Sequence, residues 1–292
     1  MINDCHVHFF SPSFFAGLGA DRQRINSLGW EFPDTIDGLA GRWVSELDKH
    51  GVQKAALIAS MPGDADSVAL AVAHNPERFV GFFMLDPTRK DATEYANRAL
   101  DEGLRTICLF PAMHGYYLHD QRVSDVFDLA AARRGATIDQ VAVFVHCGVL
   151  SVGIRKKLGL PSPFDIRYGN PTDLCGVALK HPTVPIIIPH FGAGMLREAL
   201  MLAECCPNVH LDTSSSNAWI KFTPGLTLEQ VFKAALDVAG PDRLIFGTDS
   251  SFFPRGWNGE IHRKQKSALD AIGAGAEIQD KIFGGNFARL FA

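Results

Sequence analysis

Eight short apolar runs rich in β-branched residues recur along the 292-residue chain, separated by longer stretches of amphipathic helical periodicity. The runs occupy residues 2–8, 54–60, 79–85, 106–110, 142–146, 186–190, 209–212 and 244–249. Between them lie amphipathic stretches such as 38–50, 65–74, 93–102, 123–134 and 196–205. One helix start is marked directly: Thr227-Leu-Glu-Gln230 has the spacing of a capping box, and Val231, Ala234, Ala235 and Val238 then fall on one face. Eight strands alternating with helices suit a closed parallel (β/α)8 TIM barrel, expected here as one domain over residues 1–292. The competing doubly wound sheet calls for a glycine-rich phosphate loop after its first strand. Here the first run passes into His6-Val-His8-Phe-Phe, with no such loop.

Bulk properties narrow the partners. Hydrophobic residues make up 47% of the chain against 21% charged, enough to fill a large core. A net charge of -4 offers no basic face for nucleic acid and says little about substrate; the expected partner is a small molecule. The six cysteines are scattered and form no CxxC pair, which reads as reduced thiols in a cytoplasmic protein. No apolar run approaches the roughly 20 residues that span a bilayer, and the polar Asn3-Asp4 pair argues against a signal peptide. A homodimer is the default expectation for a soluble enzyme.

The chemistry-bearing residues gather at the ends of the runs. Asp4-Cys-His6-Val-His8 places two imidazoles two residues apart on a strand, hence on one face. His146 ends the fifth run, His190 the sixth and Asp249 the eighth. A single strand-end histidine is more often a hydrogen-bonded structural residue than a ligand, and a lone Asp there is often an N-cap. Several ionisable groups in one barrel mouth are another matter, because burying them is costly unless they are paired or hold a cation. Imidazole and carboxylate are the ligands a zinc-type ion takes, with one position left open for water or substrate.

In this combination the chain resembles the amidohydrolase superfamily: an Asp-x-His-x-His start, later strand-end histidines and Gly247-Thr248-Asp249 on strand eight. The nearest branch is the amidohydrolase-2 group, which includes aminocarboxymuconate-semialdehyde decarboxylase, resorcylate-type decarboxylases and dicarboxylate lactonases. The resemblance extends to Phe110-Pro-Ala-Met-His114 and to the segment Ile282-Phe-Gly-Gly-Asn286. It implies that His6, His8, His146 and Asp249 bind the metal and that His190 orients or deprotonates its water. Binuclear members bridge two ions with a carboxylated lysine or a glutamate on strand four. That strand here reads Thr106-Ile-Cys108-Leu-Phe110. One divalent ion is therefore expected, zinc first and manganese second, with Cys108 a buried inert thiol rather than a ligand.

Two long irregular segments, 11–33 and 148–171, follow strands one and five, where barrel enzymes place substrate loops. Arg167, Tyr168 and Arg255 are candidate substrate contacts, since arginine forks suit carboxylates. His114 and His119 are similar candidates, while His50, His74, His181, His210 and His262 are expected to be structural. Phe9, Phe10, Trp30 and Trp257 are candidate apolar walls. The expected activity is a metal-dependent hydrolase acting on an ester, lactone or amide bond of a small, carboxylated substrate. His190 and Asp249 would be the catalytic groups, with metal-activated water as nucleophile. The alternative is a metal-dependent non-oxidative decarboxylase built on the same ligands. A non-catalytic scaffold would have shed some of the five positions, and none is missing.

Overall fold

In the computed structural model, which describes residues 1–133, 141–162 and 164–291, eight parallel strands run in the order β1 to β8. They are β1 Ile2–Phe9, β2 Val52–Ala59, β3 Phe79–Leu85, β4 Thr106–Leu109, β5 Ala142–Val145, β6 Ile186–Ile188, β7 Val209–Asp212 and β8 Leu244–Ile245. The circle is completed by backbone bonds between β1 and the segment leaving β8. Cys5 N–H donates to Phe246 O at 2.9 Å, Asp249 N–H to His6 O at 2.9 Å, and His8 N–H to Ser250 O at 2.7 Å.

Alternation along the strands builds two cores. Val7, Leu57, Phe83, Ile107, Leu109, Val143 and Leu211 face outward and pack beneath the helices. Cys5, Ala56, Ile58, Phe82, Cys108, Phe144 and Ile187 fill the interior, small residues against large. Phe287, Leu290 and Phe291, from the helix Asn286–Phe291, join the interior cluster. Polar groups are thereby confined to the ends of the barrel.

The helices fall close to their expected places. Ala65–His74 and Leu196–Cys205 coincide with the amphipathic stretches. Helix Leu228–Ala239 opens with the anticipated capping box, Thr227 N–H donating to Gln230 Oε1 at 2.9 Å and Gln230 N–H to Thr227 Oγ1 at 3.4 Å. The stretch 123–134 forms a helix over Gln121–Ala132, and its expected last residue, Arg134, lies outside the described residues. The segment 11–33 carries two short helices, Pro12–Gly17 and Arg22–Ser27, and the segment 148–171 carries Gly153–Lys157. Near the C-terminus, Lys281–Gly285 forms a π-type turn between the helices Ala276–Asp280 and Asn286–Phe291. Among the described residues no helix is long and apolar enough to cross a membrane.

Strands six and eight are shorter than the apolar runs that announce them. Pro189 has no N–H to continue the ladder, and His190 and Phe191 turn into left-handed backbone with φ of 56° and 52°. Asp249 also has a left-handed φ, 59°. Non-glycine residues adopt this region at a cost and concentrate at functional sites. Gly148, at φ 72°, packs against this kink, where an added Cβ would fall into the carbonyl oxygens of Gly192 and Ala193.

Candidate metal centre

The imidazoles of His6 and His8 point into the barrel mouth from the same face of β1. Each has one ring nitrogen tied down from behind. His6 Nδ1 lies 2.7 Å from Asp212 Oδ2 at the end of β7. His8 Nδ1 lies 2.7 Å from Ser60 Oγ just beyond β2. Asp212 is a carboxylate, so His6 Nδ1 must donate. Ser60 spends its own hydroxyl proton on Ile58 O at 3.0 Å, so it accepts from His8 Nδ1. In its neutral form each ring is thereby fixed with its Nε2 lone pair turned toward the mouth.

Those lone pairs converge. His6 Nε2 and His8 Nε2 are 3.3 Å apart, His8 Nε2 and Asp249 Oδ1 are 3.3 Å apart, and His6 Nε2 and Asp249 Oδ1 are 3.8 Å apart. Ligands about 2.0–2.1 Å from a tetrahedral zinc-sized ion sit about 3.3 Å from one another. Three acceptors aimed at one point repel unless a cation lies between them, and this donor set fits a single divalent ion. Among the described residues, His6, His8 and Asp249 form the group whose ligand atoms all fall within 4.8 Å of one another.

The electrostatics follow from the same contacts. Burial pushes the His6 imidazole toward its neutral form, but Asp212 and Asp249 outweigh it and raise its pKa, so the site draws positive charge. Burial would raise Asp249, yet the His8 hydrogen bond and the nearby His6 and His190 hold it well below the usual carboxylate range. Asp4, beneath the pair, is pushed up to about 6 by burial, partly countered by hydrogen bonds from Thr248, His6 N–H and Trp257. It thus pins β1 to the Thr248-Asp249 segment.

His190 stands beside the trio, its ring stacked on His6 with centroids 5.0 Å apart. Its Nδ1 is 3.2 Å from Ser214 O and 2.9 Å from Ser214 Oγ, whose own proton goes to Asp212 Oδ2 at 2.9 Å. Nδ1 is therefore the donor, and Nε2 keeps a free lone pair. Burial depresses the pKa of His190, its causes led by desolvation.

His146 stands back from the three converging atoms. It packs on Phe110 at 5.5 Å and faces His190 at 5.3 Å, and its buried Nδ1 has no hydrogen-bond partner among the described residues. Arg255 lines the mouth, its guanidinium donating to Asp249 O at 3.2 Å and Ser251 Oγ at 3.1 Å. The other expected substrate contacts lie elsewhere. Arg167 folds back on the turn Ile166–Gly169, where Asp165 accepts from both its backbone N–H and its guanidinium. Tyr168 packs against Tyr117 at 4.7 Å, and His119 is exposed near Asp173. His114 is half-buried behind the wall, and its neighbour Met113 lines the mouth instead. Of the expected aromatic walls, Phe10 and Trp30 line the mouth. Phe9 is in the outer core, and Trp257 donates its indole N–H to Asp4 at 2.7 Å. Cys108 lies in the barrel interior, and burial pushes its thiol well up.

Sequence reasoning passed over Asp212, Ser214 and Ser60. Asp212 did carry a signal: it is a strand-end carboxylate, on β7, in the same position that drew attention to Asp249 on strand eight.

A closed parallel barrel with imidazoles and a carboxylate converging at the C-terminal ends of its strands defines a metal-dependent enzyme of hydrolase or related type. The chain belongs to the amidohydrolase family, in its amidohydrolase-2 group, whose profile matches residues 3–292. Solved structures of similar shape include an uncharacterised TIM-barrel protein from Bordetella bronchiseptica, 18% identical, TM-score 0.68, covering 99% of this chain and 97% of that one. An amidohydrolase from Burkholderia multivorans with bound zinc is 16% identical, TM-score 0.64, covering 99% and 98%. A probable 2-pyrone-4,6-dicarboxylic acid hydrolase from Acinetobacter baumannii with citric acid bound is 16% identical, TM-score 0.59, again covering 99% and 98%. No curated protein matches the sequence.

Proposed function

We propose that the protein hydrolyses an ester, lactone or amide bond of a small carboxylated substrate, using one divalent ion, zinc in preference to manganese. The observation that carries this reading is the convergence of His6 Nε2, His8 Nε2 and Asp249 Oδ1 beside a His190 whose Nε2 is free. His146, across the mouth with an unpartnered Nδ1, is the fourth candidate ligand. When bound, the ion supplies Lewis-acid activation of water and of the substrate carbonyl.

The remaining work belongs to the chain. His190 Nε2 accepts a proton from the attacking water, while Ser214 keeps the ring in the required tautomer. Asp249, ionised before the attack, takes that proton from His190 and delivers it to the leaving group. Arg255, fixed through the Asp249 carbonyl and Ser251, binds the substrate carboxylate with its remaining donors. Arg167, Tyr168 and His114 have no part in this arrangement. Hydrolysis is placed ahead of decarboxylation because a base aimed at the mouth serves to deprotonate water, whereas decarboxylation must protonate carbon. Product analysis on a panel of carboxylated lactones and esters tests this: a ring-opened or cleaved acid with every carbon retained is expected. Release of bicarbonate in step with turnover would move the assignment to the carboxy-lyase.

A further inference from the structure

The mouth is divided in two. One chamber, of about 390 Å³, runs from the metal trio toward the first and fifth loops. A second, of about 420 Å³, opens on the far side of His190. Ser151, His190, Asp249 and Arg255 border both chambers, so the reacting centre forms the partition between them. Each is large enough to take part of a ligand.

The two chambers differ in chemistry. The first is walled by a row of near-parallel rings: Phe14 on Phe10 at 4.1 Å and 6°, Phe10 beside Trp30 at 6.1 Å and 15°, and Trp30 on Phe252 at 3.8 Å and 4°. Leu150 and Ile154 extend this apolar surface, with the Lys157 ammonium 5.9 Å from the Trp30 ring centroid, and the stacked rings suit a flat, unsaturated group. The second chamber is lined by Ser215, Ser216, Asn258 and Lys221, with Trp219 as one wall. The Trp219 indole N–H is spent on Asn217 Oδ1 at 3.0 Å, leaving only its carbon surface to offer. Lys221 forms no ion pair among the described residues. Ser215 Oγ accepts from Asn217 N–H at 3.3 Å, which leaves its proton to donate.

We propose that the substrate is bipartite: a flat apolar part occupies the aromatic chamber, a hydroxylated polar part occupies the second, and the scissile bond lies between them at His190 and Asp249. A substrate built this way spans the partition, so both ends position the bond that breaks. The inference rests on the hydrolase reading for the identity of that bond, but the two chambers stand independently of it.

The test therefore uses ethers, which contain no bond this enzyme would hydrolyse. Titration calorimetry on the full chain as purified compares phenylpropyl glyceryl ether with its two halves, phenylpropyl methyl ether and glycerol monomethyl ether. The whole ether is expected to bind at least about tenfold more tightly than either half. Trp30→Ala should erase the gain from the aryl part, and Asn258→Ala the gain from the glyceryl part, with melting curves confirming that both variants fold. Equal affinity for the whole ether and its aryl half would overturn the proposal, as would binding of none of the three. Failure to hydrolyse any ester, lactone or amide counts against the hydrolase reading alone, since ether binding does not depend on it.

Discussion

Asp212 Oδ2 and His6 Nδ1 meet at 2.7 Å with both side chains buried, and this one contact decides which nitrogen of His6 is left for an ion. A carboxylate behind a ligating histidine fixes the tautomer, orients the ring and raises its basicity. Here the same carboxylate also accepts from Ser214 Oγ, the hydroxyl that contacts His190. One buried acid thus sets both a candidate ligand and the proposed base. Asp212→Asn should weaken metal binding by about 10–100-fold, the usual cost of losing such a partner. Chelator competition measures it, and unchanged affinity would show that the ring is oriented by packing alone.

Purified protein should carry close to one divalent ion per chain. His6→Ala and His8→Ala should lose it, because each removes one of three converging donors. His146→Ala should retain more metal than either, since its ring stands back from the three. Elemental analysis of the wild type and the three variants reads this directly. Two tightly held ions per chain would mean that a second donor set was overlooked.

His190→Asn should keep most of the metal while turnover falls by about 10²–10⁴, the range for losing a general base. Metal content is measured beside initial rates on the lactone or ester found active. If this variant empties the site as fully as His6→Ala, His190 is a ligand. If the rate is untouched, the proton goes to another group, with Asp249 the first to examine.

The converging trio was legible in the sequence because strand ends are where period-two alternation gives way to polar residues. His6, His8 and Asp249 interrupt apolar runs, and that interruption is visible without a structure. The tautomer-fixing partners were not, because nothing local in Ser60, Asp212 or Ser214 says which imidazole each will face. Those contacts join residues as many as 206 positions apart. Arg167, expected as a substrate contact, is instead held by Asp165 two residues earlier and is not among the residues lining the mouth, a pairing its place in a loop does not announce. Strands six and eight were foreseen, but their apolar runs outlast the ladders. The departure at Pro189 and the left-handed φ of Asp249 are backbone facts that hydropathy does not encode.

Stability should fall with acid for a reason remote from the metal. His210 on β7 is buried at the opposite end of the barrel interior, its pKa depressed to about 3 by desolvation first and then by Arg289 and Arg243. The unfolded chain takes up this proton near pH 6.5, whereas the folded one resists until about 3. The unfolded state therefore binds more protons across that window, and stability declines as pH falls through it. Between pH 7 and 5 the loss is about 2 kcal/mol from this group alone. Chemical denaturation at the two pH values, with His210→Gln beside the wild type, should show a smaller decline in the variant. An identical decline would place the acid sensitivity elsewhere.

Gly247, in the Gly-Thr-Asp segment, is required by space rather than by backbone freedom. A Cβ there would meet His6 Cβ at 2.8 Å, Asp212 Oδ1 at 2.9 Å and Ser214 Cβ at 2.9 Å, so the pair that fixes the His6 tautomer would have to move. Gly247→Ala should therefore weaken metal binding by at least about tenfold, in line with disturbing the partner of a ligating histidine. It should also destabilise the fold by about 1–3 kcal/mol, the usual cost of overpacking a close-packed site. Gly41 is the matched control: it lies inside helix Ile36–Lys49, and a Cβ there would meet nothing within 4 Å. Gly41→Ala should leave metal content unchanged and raise stability by up to about 1 kcal/mol, because alanine loses less entropy than glycine in a helix. Metal content and denaturation midpoints of the two variants separate a local effect at His6 from a general response to added methyl groups. Full metal occupancy with wild-type affinity in Gly247→Ala would mean that His6 and Asp212 can yield the space without losing their geometry, and that their contact is looser than 2.7 Å implies.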